Sequence, residues 1–454
     1  MAALIEYGAS VSMDSLMIAR NGRIVAEAYY APFRASMRHR VNSATKAVIG
    51  TLTGIAIARG EMPATTTPVL ELFPGASDTS DQRWRKMTVQ HLLDMTSGIS
   101  WDEPLTNGIP RTSLAMERSP NWADFILAQP IAQLPGAAFN YNSGNPHLLS
   151  VALMRRTGIP TDDYARRFLF EPLGITDFRW RKDPQGAAIG GFGLYMHTRD
   201  MARLGQLYLQ HGKWGDRQLV PNEWVDHVFA PKVDMSIPGF RYSDFWWSIP
   251  SKRAYMMVGF NRQVVMVLPD QNIVAAMTGR FNYPFEDVIS RLQRASKSAE
   301  PLPENIAAQA ALRARAEVAA NGGLLPVDVV ADSTVKPAVV KGNYRVEENQ
   351  LGVREVGFDF SVSPPIYRVL MRSRSLIAPL SLDGRFAEGD DGGTPLFTRA
   401  RWQDPNTLVL EQRWPEEAAS MRYVMKFSGN DLEITGTNHF GVKAVVKALR
   451  RAEE

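Results

Sequence analysis

The sequence predicts an α/β (α+β) protein: an antiparallel sheet with flanking helices and a helical subdomain, followed by a C-terminal antiparallel β-barrel-like domain. Residues 15–30 form two apolar runs around Asn21-Gly22, the strongest two-residue signal for a β-hairpin. Residues 44–58 form a proline-free apolar run whose length favours a buried helix. Residues 421–427 alternate between apolar and polar positions, as a strand with one buried face does.

The other elements of the first half follow from spacing and turn residues. Residues 87–95, 145–157 and 199–211 carry apolar side chains at helical intervals, and the first of these segments precedes a Thr-Ser-Gly turn. Residues 262–268 and 272–278 are strand-like runs separated by Pro269-Asp270. The first half is therefore predicted to be a helical region inserted between strands of one sheet.

A change in composition near residue 300 predicts a second domain. Residues 303–321 are rich in Ala, Arg and Glu and end at Asn-Gly-Gly, which favours a surface or linker helix. Short strand patterns separated by Asp-Gly, Asp-Pro-Asn and Ser-Gly-Asn turns follow it. We predict a first domain at 1–300, a linker helix at 301–325, and a β-rich domain of about eight strands at 326–454.

Composition excludes several classes of function. The chain has 51 Lys and Arg against 47 Asp and Glu, a net charge of only +4, and no basic stripe, so nucleic acid is not an expected partner. There is no cysteine, which excludes disulfides, thiolate nucleophiles and cysteine metal sites. The seven histidines form none of the usual zinc motifs, so we expect neither a metal nor a cofactor.

The apolar segments indicate no membrane span. No run of about 18 apolar residues is present, and the N-terminus lacks the basic region and apolar core of a signal peptide. We expect a soluble protein that is either exported, with its leader missing from this chain, or cytoplasmic. Its oligomeric state is left open.

The clearest chemical signal is Ser43-Ala44-Thr45-Lys46, an S-x-x-K pattern at the start of the apolar helix. Positions i and i+3 share one face of a helix, so the hydroxyl and the amine are expected to be neighbours. A serine needs a base to remove its proton, and desolvation lowers the pKa of a lysine towards the range where it can act as one. The alternative is an N-cap serine beside a surface lysine.

A second copy shows how weak the pattern is alone. Ser333 and Lys336 also fit S-x-x-K, but Pro337 disfavours a helix there and no apolar helix follows. A second signal, residues 135–145, supports the first copy. They form a Pro-Gly turn that leads into Tyr141, Ser143 and Asn145, and a phenol in such a loop can relay a proton. The alternative for Tyr141 is a packed aromatic ring.

Five segments in order carry a resemblance: HRVNSATKAVIG, MTVQHLLDMTSGISWDE, PGAAFNYNSGNPHLL, GGFGLYMHTRDMARLGQLYL and MVGFNRQVVMVLPD. Together they resemble the serine β-lactamase-like superfamily: class C β-lactamases, penicillin-binding-protein-like peptidases, and related esterases and amidases. The Tyr-x-Ser-x-Asn form is most similar to 6-aminohexanoate-dimer hydrolases. The resemblance covers about residues 10–295 and implies a β-lactamase/transpeptidase-like fold.

The resemblance implies roles for these residues. Ser43 would be the acylated nucleophile, Lys46 would accept its proton, and Tyr141 would protonate the leaving group. The family's third motif falls at Met257-Val258-Gly259, so the backbone N–H groups of Ser43 and Phe260 would form the oxyanion hole. Supporting or substrate-binding roles are predicted for four residues: Ser143, Asn145, Gly259 and Trp247, the last as a wall of an acyl pocket.

Two departures shape the expected function. Ser143 stands where β-lactamases have Asn, and Met257 stands where a cation often anchors the β-lactam carboxylate. We therefore predict a hydrolase of a small, uncharged or cationic ester or amide. The alternatives are a β-lactamase or D-alanyl-D-alanine peptidase and, in another class, a non-catalytic binding or sensor protein of the same fold.

Overall fold

The computed structural model describes residues 1–76, 81–105, 108–280, 282–300, 302–324, 342–439 and 441–450. The helices in these residues are α1 Ala2–Ser10, α2 Thr45–Ala58, α3 Val89–Leu93, α4 Arg111–Arg118, α5 Trp122–Leu127, α6 Gly144–Thr157, α7 Thr161–Ala165, α8 Thr198–Leu209, α9 Asn222–Val228, α10 Phe285–Ala295 and α11 Ile306–Ala320. The strands up to residue 279 are β1 Met13–Arg20, β2 Arg23–Tyr29, β3 His39–Arg40, β4 Arg179–Trp180, β5 Leu194–Met196, β6 Lys213–Trp214, β7 Arg217–Gln218, β8 Val233–Asp234, β9 Arg241–Ser243, β10 Trp246–Ile249, β11 Ala254–Gly259, β12 Gln263–Leu268 and β13 Ile273–Gly279. The later strands are β14 Gly342–Val346, β15 Val353–Asp359, β16 Ile366–Met371, β17 Ser375–Pro379, β18 Ala387–Asp390, β19 Pro395–Asp404, β20 Thr407–Trp414, β21 Ala419–Ser428, β22 Asp431–Asn438 and β23 Lys443–Arg450.

The N-terminal domain is built on one antiparallel sheet with the strand order β2-β1-β13-β12-β11-β10-β9-β8. The predicted hairpin is confirmed as β1 and β2. Asn21 and Gly22 take φ values of 49° and 72°, the two positive angles that a type I′ turn requires. The chain returns from the helical subdomain to complete this sheet with β8 to β13, which confirms the predicted insertion.

Helix α2 runs through the middle of this domain. Its residues from Thr45 to Ala56 are all buried, and apolar side chains surround it, so the continuous apolar run predicted its environment correctly. The predicted helices at 87–95, 145–157 and 199–211 are confirmed as α3, α6 and α8, with ends shifted by up to two residues. The buried helix α2 therefore fixes the position of its own N-terminus and of Ser43, which lies in the turn just before it.

The C-terminal sheet has ten strands, where the sequence predicted about eight. Its order is β17-β16-β15-β14-β23-β22-β21-β20-β19-β18, and it is entirely antiparallel. It nearly closes, because Ser381, just after β17, bridges to Arg399 of β19. The predicted number of strands was too low. A strand as short as β18, with four residues, shows too little alternation to be recognised from the sequence.

A helix, α11, lies within the range predicted as a linker, and it packs against the N-terminal domain. The Ala31 N–H donates to the Ala319 carbonyl at 3.1 Å, and Arg315 pairs with Glu6 at 2.6 Å. The barrel domain contacts the same region, since Arg34 pairs with Glu388 at 2.7 Å. Within the described residues, no helix combines the length and apolar character needed to cross a membrane.

Candidate active site

The structure brings the Ser43 hydroxyl and the Lys46 amine together. Ser43 lies in a 3-10 turn, Asn42–Ala44, which leads directly into α2. One turn of helix separates the two side chains, and the Lys46 Nζ donates to the Ser43 Oγ at 2.9 Å. Ser43 is partly exposed while Lys46 is only 1% exposed. A hydroxyl that solvent can reach therefore lies against an amine that solvent cannot.

Burial changes the chemistry of Lys46. Desolvation lowers the pKa of this amine from its ordinary 10.5 to about 8, and the charge of Glu103 opposes part of the shift. The Lys46 Nζ also donates to the Gly191 carbonyl at 2.7 Å. A Cβ at Gly191 would lie 2.8 Å from the Ser143 carbonyl oxygen, so glycine is needed for this approach. With a pKa of about 8, about a tenth of Lys46 is neutral at pH 7, against less than about a thousandth at its ordinary pKa.

Tyr141 completes the group. Its ring lies 4.7 Å from the Lys46 Nζ, and the residue is 8% exposed. Burial, followed by the charge of Glu103, raises the pKa of the phenol well above its ordinary value, and a hydrogen-bonding interaction with Ser43 opposes this rise. The phenol therefore stays protonated at neutral pH and is available as a proton donor.

Glu103 is a site residue that the sequence did not reveal. Its carboxylate accepts hydrogen bonds from the Ser143 N–H at 2.8 Å and the Ser143 Oγ at 2.5 Å. The Ser113 Oγ at 2.7 Å and the Trp101 Nε1 at 2.8 Å donate to it as well. Glu103 is the last residue of the second segment that carries the family resemblance. No rule of sequence spacing predicts that a carboxylate at position 103 lies near a lysine at position 46. Only the fold places its charge near Lys46 and Tyr141.

The predicted oxyanion region lies where β11 approaches the serine turn. A Cβ at Gly259 would lie 2.1 Å from the Val41 carbonyl oxygen, so this strand end requires glycine. The Asn42 side chain donates to the Phe260 carbonyl at 3.1 Å. This contact joins the residue before Ser43 to the residue after Gly259 and holds the two predicted donor segments side by side.

Ser143 and Asn145 lie behind the site rather than at its surface. Ser143 is 1% exposed and is bound to Glu103. Asn145 is 0% exposed, and its amide nitrogen donates to the Leu92 carbonyl of α3 at 3.4 Å. These positions are compatible with the predicted supporting role, because Ser143 can position Glu103 and Asn145 can position α6. Their burial gives no support to a direct contact with substrate.

Trp247 lies on the face of the sheet opposite the predicted oxyanion strand residues, so its predicted role as a pocket wall gains no support from its position. Trp247 pairs with Met256, so both point to the face of the sheet opposite Met257 and Gly259. Its ring packs edge-on against Phe285 of α10 at 6.4 Å. Adjacent residues of a strand point to opposite faces of the sheet. Without the strand register, the sequence could not assign Trp246 and Trp247 to their faces.

The buried Asp244 and the partly buried Asp94 form a pair of carboxylates at the C-terminal end of α3. The Asp244 N–H donates to the Asp94 Oδ1 at 3.2 Å, and the Gln90 amide nitrogen donates to both carboxylates at 3.0 Å. His227 pairs with the Asp244 Oδ2 at 2.6 Å, and this contact raises the histidine pKa. Burial and the charge of Asp244 raise the pKa of Asp94 from 3.8 to about 6.

The carboxylate pair predicts a pH-dependent stability. Because the folded pKa of Asp94 lies above its unfolded value, its contribution favours folding below about pH 4 and is lost as pH rises through about 6. We expect Asp94→Asn to raise Tm relative to the parent at pH 8, by the equivalent of about 1–3 kcal/mol, and to raise it less at pH 5. An identical Tm difference at both pH values would contradict this assignment.

The fold and this geometry define the class of protein. An antiparallel sheet flanked by helices, with a buried lysine against a serine at the head of the central helix, is the β-lactamase/transpeptidase-like architecture that the resemblance implied. Comparison with known families agrees: the beta-lactamase family matches residues 3–299. The chain belongs to the beta-lactamase family.

One curated relative is a named hydrolase. The chain is 26% identical over 261 residues to 6-aminohexanoate-dimer hydrolase of Paenarthrobacter ureafaciens. The alignment covers 53% of this chain and 65% of that relative. It thus spans just under two thirds of that enzyme's length.

Solved structures share the fold. A Bacillus anthracis chain provisionally named as a 6-aminohexanoate-dimer hydrolase aligns with a TM-score of 0.56 at 19% identity, covering 66% of this chain and 83% of that one. EstCE1, a hydrolase with promiscuous acyltransferase activity, aligns with a TM-score of 0.52 at 17% identity over 65% and 98%. A Streptomyces D-stereospecific amidohydrolase aligns with a TM-score of 0.51 at 17% identity over 66% and 100%.

Proposed function

We propose that this chain is a serine hydrolase that cleaves a small ester or amide through an acyl-enzyme on Ser43. One observation carries the proposal: the Lys46 Nζ lies 2.9 Å from the Ser43 Oγ in a buried setting that lowers the lysine pKa to about 8. The neutral amine is a base strong enough to take the serine proton and weak enough to release it.

Acylation begins when the Ser43 Oγ attacks the substrate carbonyl carbon and its proton passes to Lys46. The carbonyl oxygen becomes an oxyanion, which the backbone N–H groups of Ser43 and Phe260 stabilise. The tetrahedral intermediate collapses and the bond to the leaving group breaks. Tyr141 donates its phenol proton to the departing oxygen or nitrogen and regains one from the Lys46 ammonium.

Deacylation reverses the roles. A water molecule attacks the acyl carbon and loses its proton to the Tyr141–Lys46 pair. The second tetrahedral intermediate then breaks the bond to the Ser43 Oγ, which is reprotonated as the carboxylic acid leaves. Met257 supplies no charge where a cation would hold an anionic group, so uncharged or cationic substrates are favoured over β-lactam carboxylates.

A fluorophosphonate probe tests the proposal. We expect one phosphonyl adduct per chain, mapped by mass spectrometry to the peptide that contains Ser43, and no adduct in Ser43→Ala. A non-catalytic binding protein of the same fold would remain unlabelled, and a label on another serine would move the active site elsewhere.

Parallel substrates separate the remaining alternatives. We expect turnover of p-nitrophenyl butyrate and test the linear 6-aminohexanoate dimer, the substrate named for the Paenarthrobacter relative, as the amide. Faster hydrolysis of a chromogenic cephalosporin than of either would favour a β-lactamase or D-alanyl-D-alanine peptidase instead.

Glu103 gives a prediction for the pH profile. Its charge raises the pKa of Lys46, so Glu103→Gln should lower that pKa and move the rising limb of kcat/KM, near pH 8, to lower pH. Glu117→Gln removes a nearby carboxylate that does not act on Lys46 and is the matched control. A limb that stays in place in Glu103→Gln would show that Lys46 is not the titrating base.

A further inference from the structure

The outer face of the barrel sheet carries a cavity of about 490 Å³ lined by strands β19 to β23. Leu408 and Leu410 of β20 point into the barrel core. Because side chains alternate along a strand, Val409, Glu411 and Arg413 point outward and line the cavity. The cavity therefore lies outside the barrel core, and none of the residues that line it belongs to the Ser43 site.

Strand register brings basic residues together in this cavity. Arg399 lies opposite Glu411, and Glu411 lies opposite Arg422 on the next strand. The same row continues through Thr437 to Lys443. Arg401 follows Arg399 by two residues, so it lies on the same face. The residues of this row come from five different strands, and the strand register of the sheet aligns them.

The cavity holds an excess of positive charge. Five basic residues line it against one carboxylate, that of Glu411: Arg399, Arg401, Arg413, Arg422 and Lys443. Phe386 lies over two of the guanidinium groups, 4.5 Å from Arg399 and 4.9 Å from Arg413. Like charges gathered on one face repel each other unless a counter-charge joins them.

The one carboxylate that lines the cavity already pairs with two of the arginines. The Glu411 oxygens accept from Arg399 at 2.6 Å and from Arg413 at 2.7 Å. Burial alone would raise the pKa of Glu411, but these two arginines outweigh it and lower that pKa to about 2. The negative charge of Glu411 is therefore shared between Arg399 and Arg413, and it cannot also balance the charges of the other three basic residues.

Three cations are left for a ligand. In the part of the chain that the structure describes, Arg401, Arg422 and Lys443 make no ion pair with a carboxylate. The Nε of Arg401 is buried and has no hydrogen-bond acceptor. A buried donor without an acceptor costs about 1–3 kcal/mol, which a bound anion would recover.

We propose that this cavity binds a small molecule bearing at least two carboxylate or phosphate groups. Guanidinium groups pair with both kinds of anion through paired hydrogen bonds, and the cavity volume is that of a small-molecule site. A macromolecule fits less well, because the Arg399 and Arg413 side chains are only 4% and 7% exposed and lie at the floor of the cavity.

Titration calorimetry on the full chain, with citrate and pyrophosphate as separate probes at constant ionic strength, tests this proposal. We expect one saturable site per chain for at least one probe, and the stronger probe distinguishes a carboxylate ligand from a phosphate ligand. Arg401→Gln/Arg422→Gln should weaken that binding by about tenfold or more, because two charge-assisted contacts are lost. Within the described residues neither arginine is ion-paired, so the double variant should fold and keep the parent's turnover of p-nitrophenyl butyrate.

Arg345→Gln/Arg368→Gln is the matched control. Both residues are exposed on β14 and β16 of the same barrel, and the variant makes the same change in net charge. Its affinity should equal that of the parent. No saturable binding of either probe, or equal weakening in both double variants, would overturn the proposal, as would tighter binding of a short single-stranded oligonucleotide than of pyrophosphate.

Discussion

Replacing Ser43 by alanine is expected to lower kcat/KM for p-nitrophenyl butyrate by at least about 10,000-fold, since no acyl-enzyme can form without its Oγ. The side chain is partly exposed and its contacts are with Lys46 and Tyr141, two residues of the same site, so folding should be preserved. Tm and circular dichroism of the variant should match those of the parent.

The second S-x-x-K copy supplies a matched control within the chain. Ser333 and Lys336 lie outside the described residues, and Ser333→Ala removes the same hydroxyl from the same pattern. It should leave kcat/KM unchanged. Residual turnover in Ser43→Ala near the parent value, or a large loss in Ser333→Ala, would reject Ser43 as the nucleophile.

Replacing Lys46 by methionine is expected to have two opposite effects. Turnover should fall by about 100- to 10,000-fold, because the base that takes the serine proton is gone. Stability at pH 7 should rise, because the parent holds a largely charged amine in a site where it is 1% exposed. A lysine that lowers stability but raises activity is expected at a functional site.

The size and pH dependence of the stability gain follow from the lysine pKa. A fall from 10.5 to about 8 corresponds to about 3 kcal/mol, and losing the hydrogen bonds to Ser43 and Gly191 offsets about half of it. The parent is penalised fully below about pH 8 and not above about 10.5, so the gain should shrink over that interval.

Thermal unfolding of Lys46→Met and the parent at pH 7 and pH 10 measures this difference. Lys213→Met, at an exposed position on β6, is the control and should show no pH-dependent gain. A destabilised Lys46→Met at pH 7, or a gain that does not change with pH, would mean that the amine is an ordinary solvated cation.

Much of the fold could be predicted from local patterns. The Asn21-Gly22 hairpin and the apolar run that became α2 depend on neighbouring residues only, and each was found in place. The Ser43–Lys46 contact belongs with them, since a helix sets the distance between positions i and i+3. The domain boundaries at 300 and 325 stay predictions.

The sequence by itself determined the helix that joins Ser43 to Lys46, the hairpin, and the β-rich character of the last 110 residues or so, because helical and strand periodicities are local. Only the tertiary structure decided that Glu103 reaches the site, that Trp247 faces away from it, and that basic residues of β19 to β23 line one cavity. Those three depend on strand register and loop path, which are set by contacts between residues far apart in the chain.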